Sequence, residues 1–488
     1  LNKPWILDII KTNKQKFREE RKEGSAIMKK LLEEYIEGRK SAFEQVADQI
    51  WGFAETDYEE VQSAQLLEDF LEAEGFQVET GIGGIPTAFR ATAGSGAPVI
   101  AFLGEYDALP GLSQEADQTV ERPCMVQGSG HGCGHNLLAT GALEAACALK
   151  NYLKAAELPG TVVYMGCPAE EGGAGKAFLI RSGCFEDVDI ALTWHPTPDN
   201  GIWNQALANV KITYSFSGRS AHAAACPQEG RSALDACELM NVGVNYLREH
   251  VSPAARMHYA YLNAGGTAAN VVPSYAKLLY ILRSDRIEEL EEMVRRVSDI
   301  ARGAALMTGT TVEEQILYAY RELLDVPEMD DLLADCMKEC LPISYTEAEL
   351  EYARKFQAIE LGKGREDKGK AGEENVLNGM ETGIKERVQM SSASTDVGDV
   401  SWVVPTGNIC IASVAAGTVM HKWTATAQGK SAVAYKGMHT AARILAEAGR
   451  RLMEEAELRE QIVAGFIRER AGRTYYSLIP EDRKPDLS

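Results

Sequence analysis

The chain has 488 residues, 45% of them hydrophobic, a length that exceeds what one hydrophobic core serves and predicts two or three domains. Lys plus Arg total 50 against 71 Asp plus Glu; the net charge of −21 argues against a nucleic-acid or anionic-membrane partner and requires a local basic pocket for any anionic ligand. The ten cysteines lack paired spacing and several sit in apolar runs, such as Cys410 in NICIASV, the pattern of reduced thiols.

The N-terminal LNKPWILDIIKTNK carries an apolar run too short for an export signal, and no later window approaches a membrane span, so a cytoplasmic location is expected. Residues 1–75 are dense in charge, with apolar positions recurring at Leu31, Leu32, Tyr35, Ile36, Val46, Ile50 and Phe53, which predicts surface-packed helices. Short apolar runs follow, ended by Gly, Pro or polar clusters and separated by helix-like segments. They read as buried strands of a mainly parallel α/β sheet, with candidates Val99–Leu103, Val162–Met165, Ile190–Trp194 and Ile409–Val414. Between about 209 and 320 the pattern turns to alternation (VKITYSFSG, YAKLLYILRSD, TVEEQILYAY), with helices such as SALDACELMNVGVNYL and EELEEMVRRVSDIARGAALM between. This predicts an inserted α+β domain at 209–320, with 1–208 and 321–488 forming one domain around it. Residues 363–387 are polar, charged and Gly-bearing, the composition of a mobile loop or surface insertion.

Polar residues able to bind metal follow the predicted strands, where open α/β sheets form their sites. Glu105 and Asp107 come in GEYDALP, Glu170 and Glu171 in GCPAEEGG, His195 directly after Ile190–Trp194, and His421 in AAGTVMH. In GSGHGCGHN the alternating glycines let the backbone bend so that His131, Cys133 and His135 can converge ahead of the helix NLLATGALEAACALKNYL. Each residue also has a plainer reading: Cys133 as a small apolar side chain, Glu170–Glu171 as solvated surface, His195 as a strand end, and His131 as a locally bonded or solvated imidazole. Core packing gives no reason for all of them to occupy equivalent positions, and that favours a site. His222, in GRSAHAAACP, taken alone is a surface hairpin histidine; His250, His258 and His439 read as structural.

The motifs GEYDALPGLSQ, HGCGHNLL, GCPAEEGG, ALTWHP, AHAAACPQEGRSALDACELMNVGVNYLREH, NVVP, STDVGDVSW and YKGMHTAA, spread over about 40–450, resemble the amidohydrolase branch of the aminoacylase/carboxypeptidase metallopeptidases. The resemblance implies two divalent metals, zinc or manganese, held by Cys133, His135, Glu171, His195 and His421, with Glu170 as general base and Asp107 orienting a ligand. It implies further that the inserted domain is a lid and dimerisation domain, that His222 reaches a partner subunit's site to stabilise the oxyanion, and that Asn270 and Arg283, thirteen positions apart, bind the substrate carboxylate. Two departures stand out: Asn136 where many relatives have Asp, and Leu103-Gly104-Glu105 where Arg-Ala-Asp is usual.

The implied activity is cleavage of an N-acyl or N-aroyl amino acid, p-aminobenzoyl-glutamate first, with another acyl-amino acid such as indoleacetyl-aspartate or a dipeptide as the alternative. The implied assembly is a homodimer or a hetero-oligomer with a homologous subunit. A non-catalytic metal-binding subunit supporting an active paralogue is the rival from another class, and the complete ligand set together with Glu170 weighs against it.

Overall fold

The structure, a computed structural model, describes residues 30–361 and 393–487; the charged 363–387 stretch lies outside the described residues. Its centre is a seven-stranded sheet in the order β1-β2-β4-β3-β5-β11-β6. These strands are β1 (Gln77–Thr80), β2 (Phe89–Ser95), β3 (Val99–Glu105), β4 (Gly160–Cys167), β5 (Ile190–Thr197), β6 (Gly201–Ile202) and β11 (Thr406–Ala412). The four strands expected from the apolar runs are β3, β4, β5 and β11, and they form the parallel centre of the sheet. β1, β2 and β6 add antiparallel edges that short, mixed sequences such as FRATAGS do not announce.

Why the central strands are apolar at every position is visible in the packing. Ile100, Phe102, Val162, Tyr164, Ile190, Leu192 and Trp194 face a core built with the helices of residues 30–53, His135–Ala156 and Ala432–Glu454. Their neighbours Ala101, Leu103, Val163, Met165 and Ala191 face a second core on the other side. A strand covered on both faces loses its alternation, as parallel strands do.

A separate four-stranded antiparallel sheet has the order β10-β7-β9-β8, from β7 (Ala208–Ser217), β8 (Arg256–Asn263), β9 (Tyr275–Ser284) and β10 (Thr311–Tyr320). Helices Ala233–Leu247 and Ile287–Thr308 cover one of its faces. The first of these starts at Ser232, whose hydroxyl accepts the Asp235 amide. Among the described residues no helix is long and apolar enough to cross a membrane, and no disulfide joins any of the ten cysteines.

Strand order makes the site possible. From β3 the chain passes to β4 on one side and then to β5 on the other, so the crevice between β3 and β5 is a topological switch point. The two strands pair only from Ile100–Phe102 to Ile190–Leu192, and beyond that they part at their carboxyl ends.

The helices behind this crevice are tied by a buried histidine. His439 Nδ1 lies 2.8 Å from Glu144 Oε2, on the helix that begins with His135, and its Nε2 lies 3.3 Å from Glu44 Oε1 on the 30–53 helix. Burial opposes the charged imidazole, yet the Glu144 hydrogen bond and the charges of Glu144 and Glu44 outweigh it and raise the His439 pKa. A raised histidine pKa contributes stability that is complete below the unfolded value of about 6.5 and is lost as pH rises through the folded value. His439→Gln is therefore expected to lower the denaturation midpoint more at about pH 5.5 than at about pH 9; equal losses would show an imidazole neutral throughout.

Candidate metal centre

The five residues expected as ligands converge from four chain segments at the carboxyl ends of the parallel strands. Gly134 has φ +78°, and a Cβ there would sit 2.7 Å from Pro196 Cγ, so only glycine lets the HGCGHN turn close onto β5. That closure sets Cys133 Sγ 3.3 Å from His195 Nε2 and 3.2 Å from His421 Nε2. His421 comes from the loop after β11 with a left-handed backbone, φ +62°, and its amide donates to Gly132 O at 2.9 Å. Glu171 Oε1 lies 3.4 Å from His421 Nε2 and 4.0 Å from His135 Nε2.

Three ligand groups result: Cys133–His135–His195 and Cys133–Glu171–His421, which share one sulfur, and Glu105–His135–Glu170. His135 Nε2 and Glu171 Oε1 are buried and make no hydrogen bond, and burial with His135 nearby pushes the His195 pKa down to about 3, keeping a neutral imidazole. Orphaned donor atoms, a neutral imidazole and a thiol common to two groups fit zinc-like divalent ions, which these residues would hold.

Asp107 holds this arrangement. One oxygen accepts from His135 Nδ1 at 2.8 Å and the other from the Glu171 amide at 2.8 Å. With its Nδ1 proton committed, His135 presents Nε2 as the ligand atom. His195 is fixed likewise, its Nδ1 2.9 Å from the Pro196 carbonyl and its ring edge-on to Trp203 at 5.2 Å. Glu170 Oε2 lies 4.0 Å from His135 Nε2, and burial together with the carboxylates of Glu105 and Glu171 pushes its pKa well above the usual range.

Some expected residues lie elsewhere. His131 turns away, its Nε2 3.0 Å from the Ile50 carbonyl. Arg283, on β9, is near enough for its charge to help depress the His421 imidazole, after burial and His135. His222 and Asn270 are exposed and adjacent, with the Ala223 amide donating to Asn270 O at 3.0 Å; among the described residues no hydrogen bond or ion pair links either to the ligand cluster.

Other residues shape the site without a sequence signal. Glu60 accepts the Ala169 amide at 2.8 Å and the Thr87 hydroxyl at 3.1 Å, holding Ala169 at φ +57° just before the Glu pair. Lys176 is fully buried between Glu105 and Asp396, at 2.6 Å from each. A glutamate beside Glu59 and a lysine in a helix look like surface residues in sequence, so only the fold reveals them.

A buried thiol-and-imidazole cluster at the switch point of a parallel sheet, with a carboxylate beside it, defines a metal-dependent hydrolase. The chain belongs to peptidase family M20/M25/M40, whose model matches residues 101–447. It is 39% identical over 472 residues, 93% of this chain and 98% of the relative, to the B subunit of p-aminobenzoyl-glutamate hydrolase from Escherichia coli K12. It is 33% identical to the Xaa-Arg dipeptidase of Mus musculus, over 78% of each chain. The fold matches that of the Bacillus subtilis YxeP protein, a dinuclear metal-binding peptidase of the M20 family, with TM-score 0.54 and 17% identity over 85% of this chain and 99% of that one. The chain is thus a metal-dependent amidohydrolase of this family.

Replacing Asp107 with Asn leaves an oxygen for one partner and forces an N–H against the other. Metal affinity measured by chelator competition is expected to fall about 10–100-fold. An unchanged affinity would remove Asp107 from the ligand-orienting role.

Proposed function

We propose that this chain hydrolyses the amide bond of an N-acyl or N-aroyl amino acid bearing a free carboxylate, with p-aminobenzoyl-glutamate as the first substrate. The observation that carries the reaction is Glu170 set beside two ligand groups that share Cys133. The substrate rests on 39% identity along nearly the whole of the p-aminobenzoyl-glutamate hydrolase relative. The dipeptidase similarity, over 78% of each chain, favours an aminoacyl dipeptide as the second reading.

Two divalent ions, zinc or manganese, held by Cys133, His135, Glu171, His195 and His421 would polarise the amide carbonyl and bring a water towards ionisation near neutral pH. Glu170 takes the proton of the attacking water and delivers it to the amine nitrogen as the C–N bond breaks. Arg283, with Asn270, binds the substrate carboxylate through paired hydrogen bonds, supplying the basic spot that so acidic a protein needs.

His222 acts across the interface between two subunits. Its Nδ1 accepts the amides of Ala224 and Ala225 at 3.2 and 3.1 Å, so Nε2 carries the proton and is a donor for a developing oxyanion. Residues 209–320 then form the lid and dimerisation domain between catalytic parts 1–208 and 321–488. In support, β8 is an edge strand that exposes Tyr259, Tyr261 and Leu262 by 45%, 38% and 54%. The partner is a second copy or a homologous chain, since the p-aminobenzoyl-glutamate hydrolase relative is itself one subunit of its enzyme. We place the protein in the cytoplasm, in keeping with ten cysteines outside disulfides.

Release of p-aminobenzoate from p-aminobenzoyl-glutamate is expected to fall about 10²–10⁴-fold or more in Glu170→Gln while bound metal is unchanged. Mixing that variant with inactive His222→Ala is expected to restore part of the activity. Retained turnover in Glu170→Gln would overturn the base assignment. Cleavage of dipeptides alone by the unaltered protein would favour the second reading.

A further inference from the structure

Helices Ala233–Leu247 and Ile287–Thr308 cover one face of the antiparallel sheet, and the strand pairing fixes what the other face carries. Val210, Ile212, Leu278, Tyr280 and Leu282 point into the core under the helices, so Asn209, Lys211, Ile281 and Arg283 turn the opposite way. Asn209 stands opposite Arg283 on β9, and Lys211 stands opposite Ile281. Lys211 and Arg283 are therefore diagonal neighbours on that face, about 7–8 Å apart. On the other flank of β7, Lys211 pairs with Tyr318 and Asn209 with Tyr320.

This face meets the turn that carries Glu170. The Tyr320 hydroxyl donates to the Glu170 carbonyl at 3.4 Å, and its ring stacks on Tyr318 at 5.0 Å with 3° between the planes. Lys211 Nζ lies 5.0 Å from the centre of the Tyr318 ring. Asp57 is close enough for the Lys211 charge to draw down its pKa, which burial and Asp107 push up to about 6. Even so, the half-buried Lys211 ammonium makes no hydrogen bond or ion pair among the described residues. Asn209 Oδ1, buried on the same face, also has no hydrogen-bond partner among them. Acidic residues outnumber basic ones 71 to 50, so an ammonium that none of them engages, beside a hydrolytic site, is placed for an anion that arrives with the substrate.

Two cations at a diagonal spacing suit an amino acid whose two carboxylates are joined through a three-carbon spacer. The planar Arg283 fork matches the α-carboxylate, and the compact Lys211 charge at the end of a flexible stem matches the second. We propose that Lys211 determines specificity for a carboxylate on the side chain of the leaving amino acid, a role that rests on the hydrolase reading above and narrows it to acyl derivatives of glutamate-like amino acids. The same ammonium repels a basic side chain, so an Xaa-Arg substrate, of the kind named for the dipeptidase relative, is disfavoured.

The full chain, with zinc or manganese restored, is assayed on p-aminobenzoyl-glutamate and on p-aminobenzoyl-glutamine, which keeps the α-carboxylate and the side-chain size but not the side-chain charge. In Lys211→Met the ratio of kcat/KM for the glutamate over the glutamine derivative is expected to fall about 10–100-fold, through KM, and Lys211→Arg is expected to keep most of it. Arg283→Ala loses a contact common to both substrates and is expected to weaken both alike. A ratio unchanged in Lys211→Met, whatever the loss of overall rate, would overturn the proposal, because a merely structural lysine does not distinguish the two substrates. If the unaltered protein cleaves neither derivative, the reading of the substrate as an aroyl amino acid fails instead.

Discussion

The Asp107 carboxylate is the constraint on which the site depends. Its two oxygens join the loop after β3, the first turn of the helix that starts at His135, and the turn after β4 that carries Glu170 and Glu171. Burial alone would raise its pKa, but the His135 charge and hydrogen bond outweigh that and hold the carboxyl below the ordinary range. Three segments far apart in the chain are fixed to one another by one side chain, at the point where strand order opens a crevice beside β5. Cys133 and His195 then need only the Gly134 turn to meet.

Much of this was legible in the sequence for one physical reason: strands buried on both faces are apolar throughout, so the polar residues after them mark carboxyl ends. That logic located Glu105, Asp107, Glu170, Glu171, His195 and His421, and the glycine spacing located Cys133 and His135. β5 runs on to Thr197, so His195 lies within the strand rather than after it. The alternating segments form β7, β9 and β10, whereas β8 has no such sequence signal, because an edge strand with nearly all its side chains exposed carries no alternation. Glu60, Lys176 and Asp396 were illegible as site residues, since a buried charge is recognisable only through its partners. His131 shared the Gly-rich context of Cys133 and His135 but serves the 30–53 helix, a distinction that spacing does not encode.

The departures from similar sequences acquire physical meaning in the fold. Asn136 is fully buried and donates to the Ala47 and Gly429 carbonyls at 3.3 and 3.1 Å, tying the start of the His135 helix to two neighbouring elements. Aspartate has no N–H to give and would bring an unpaired charge into the core. Leu103 faces the second core, and Glu105 takes its charge partner from Lys176. The net charge of −21 thus coexists with a fully buried cation, Lys176, held between Glu105 and Asp396.

The central proposal is that Cys133 would serve both ligand groups of a two-metal site, and the most direct measurement is the metal content of Cys133→Ser after chelation and dialysis against zinc or manganese. The account predicts two ions per chain in the unaltered protein and weaker binding of both in the variant, since the two ligand groups that share Cys133 both lose that sulfur. A variant that keeps two ions with undiminished affinity would contradict it.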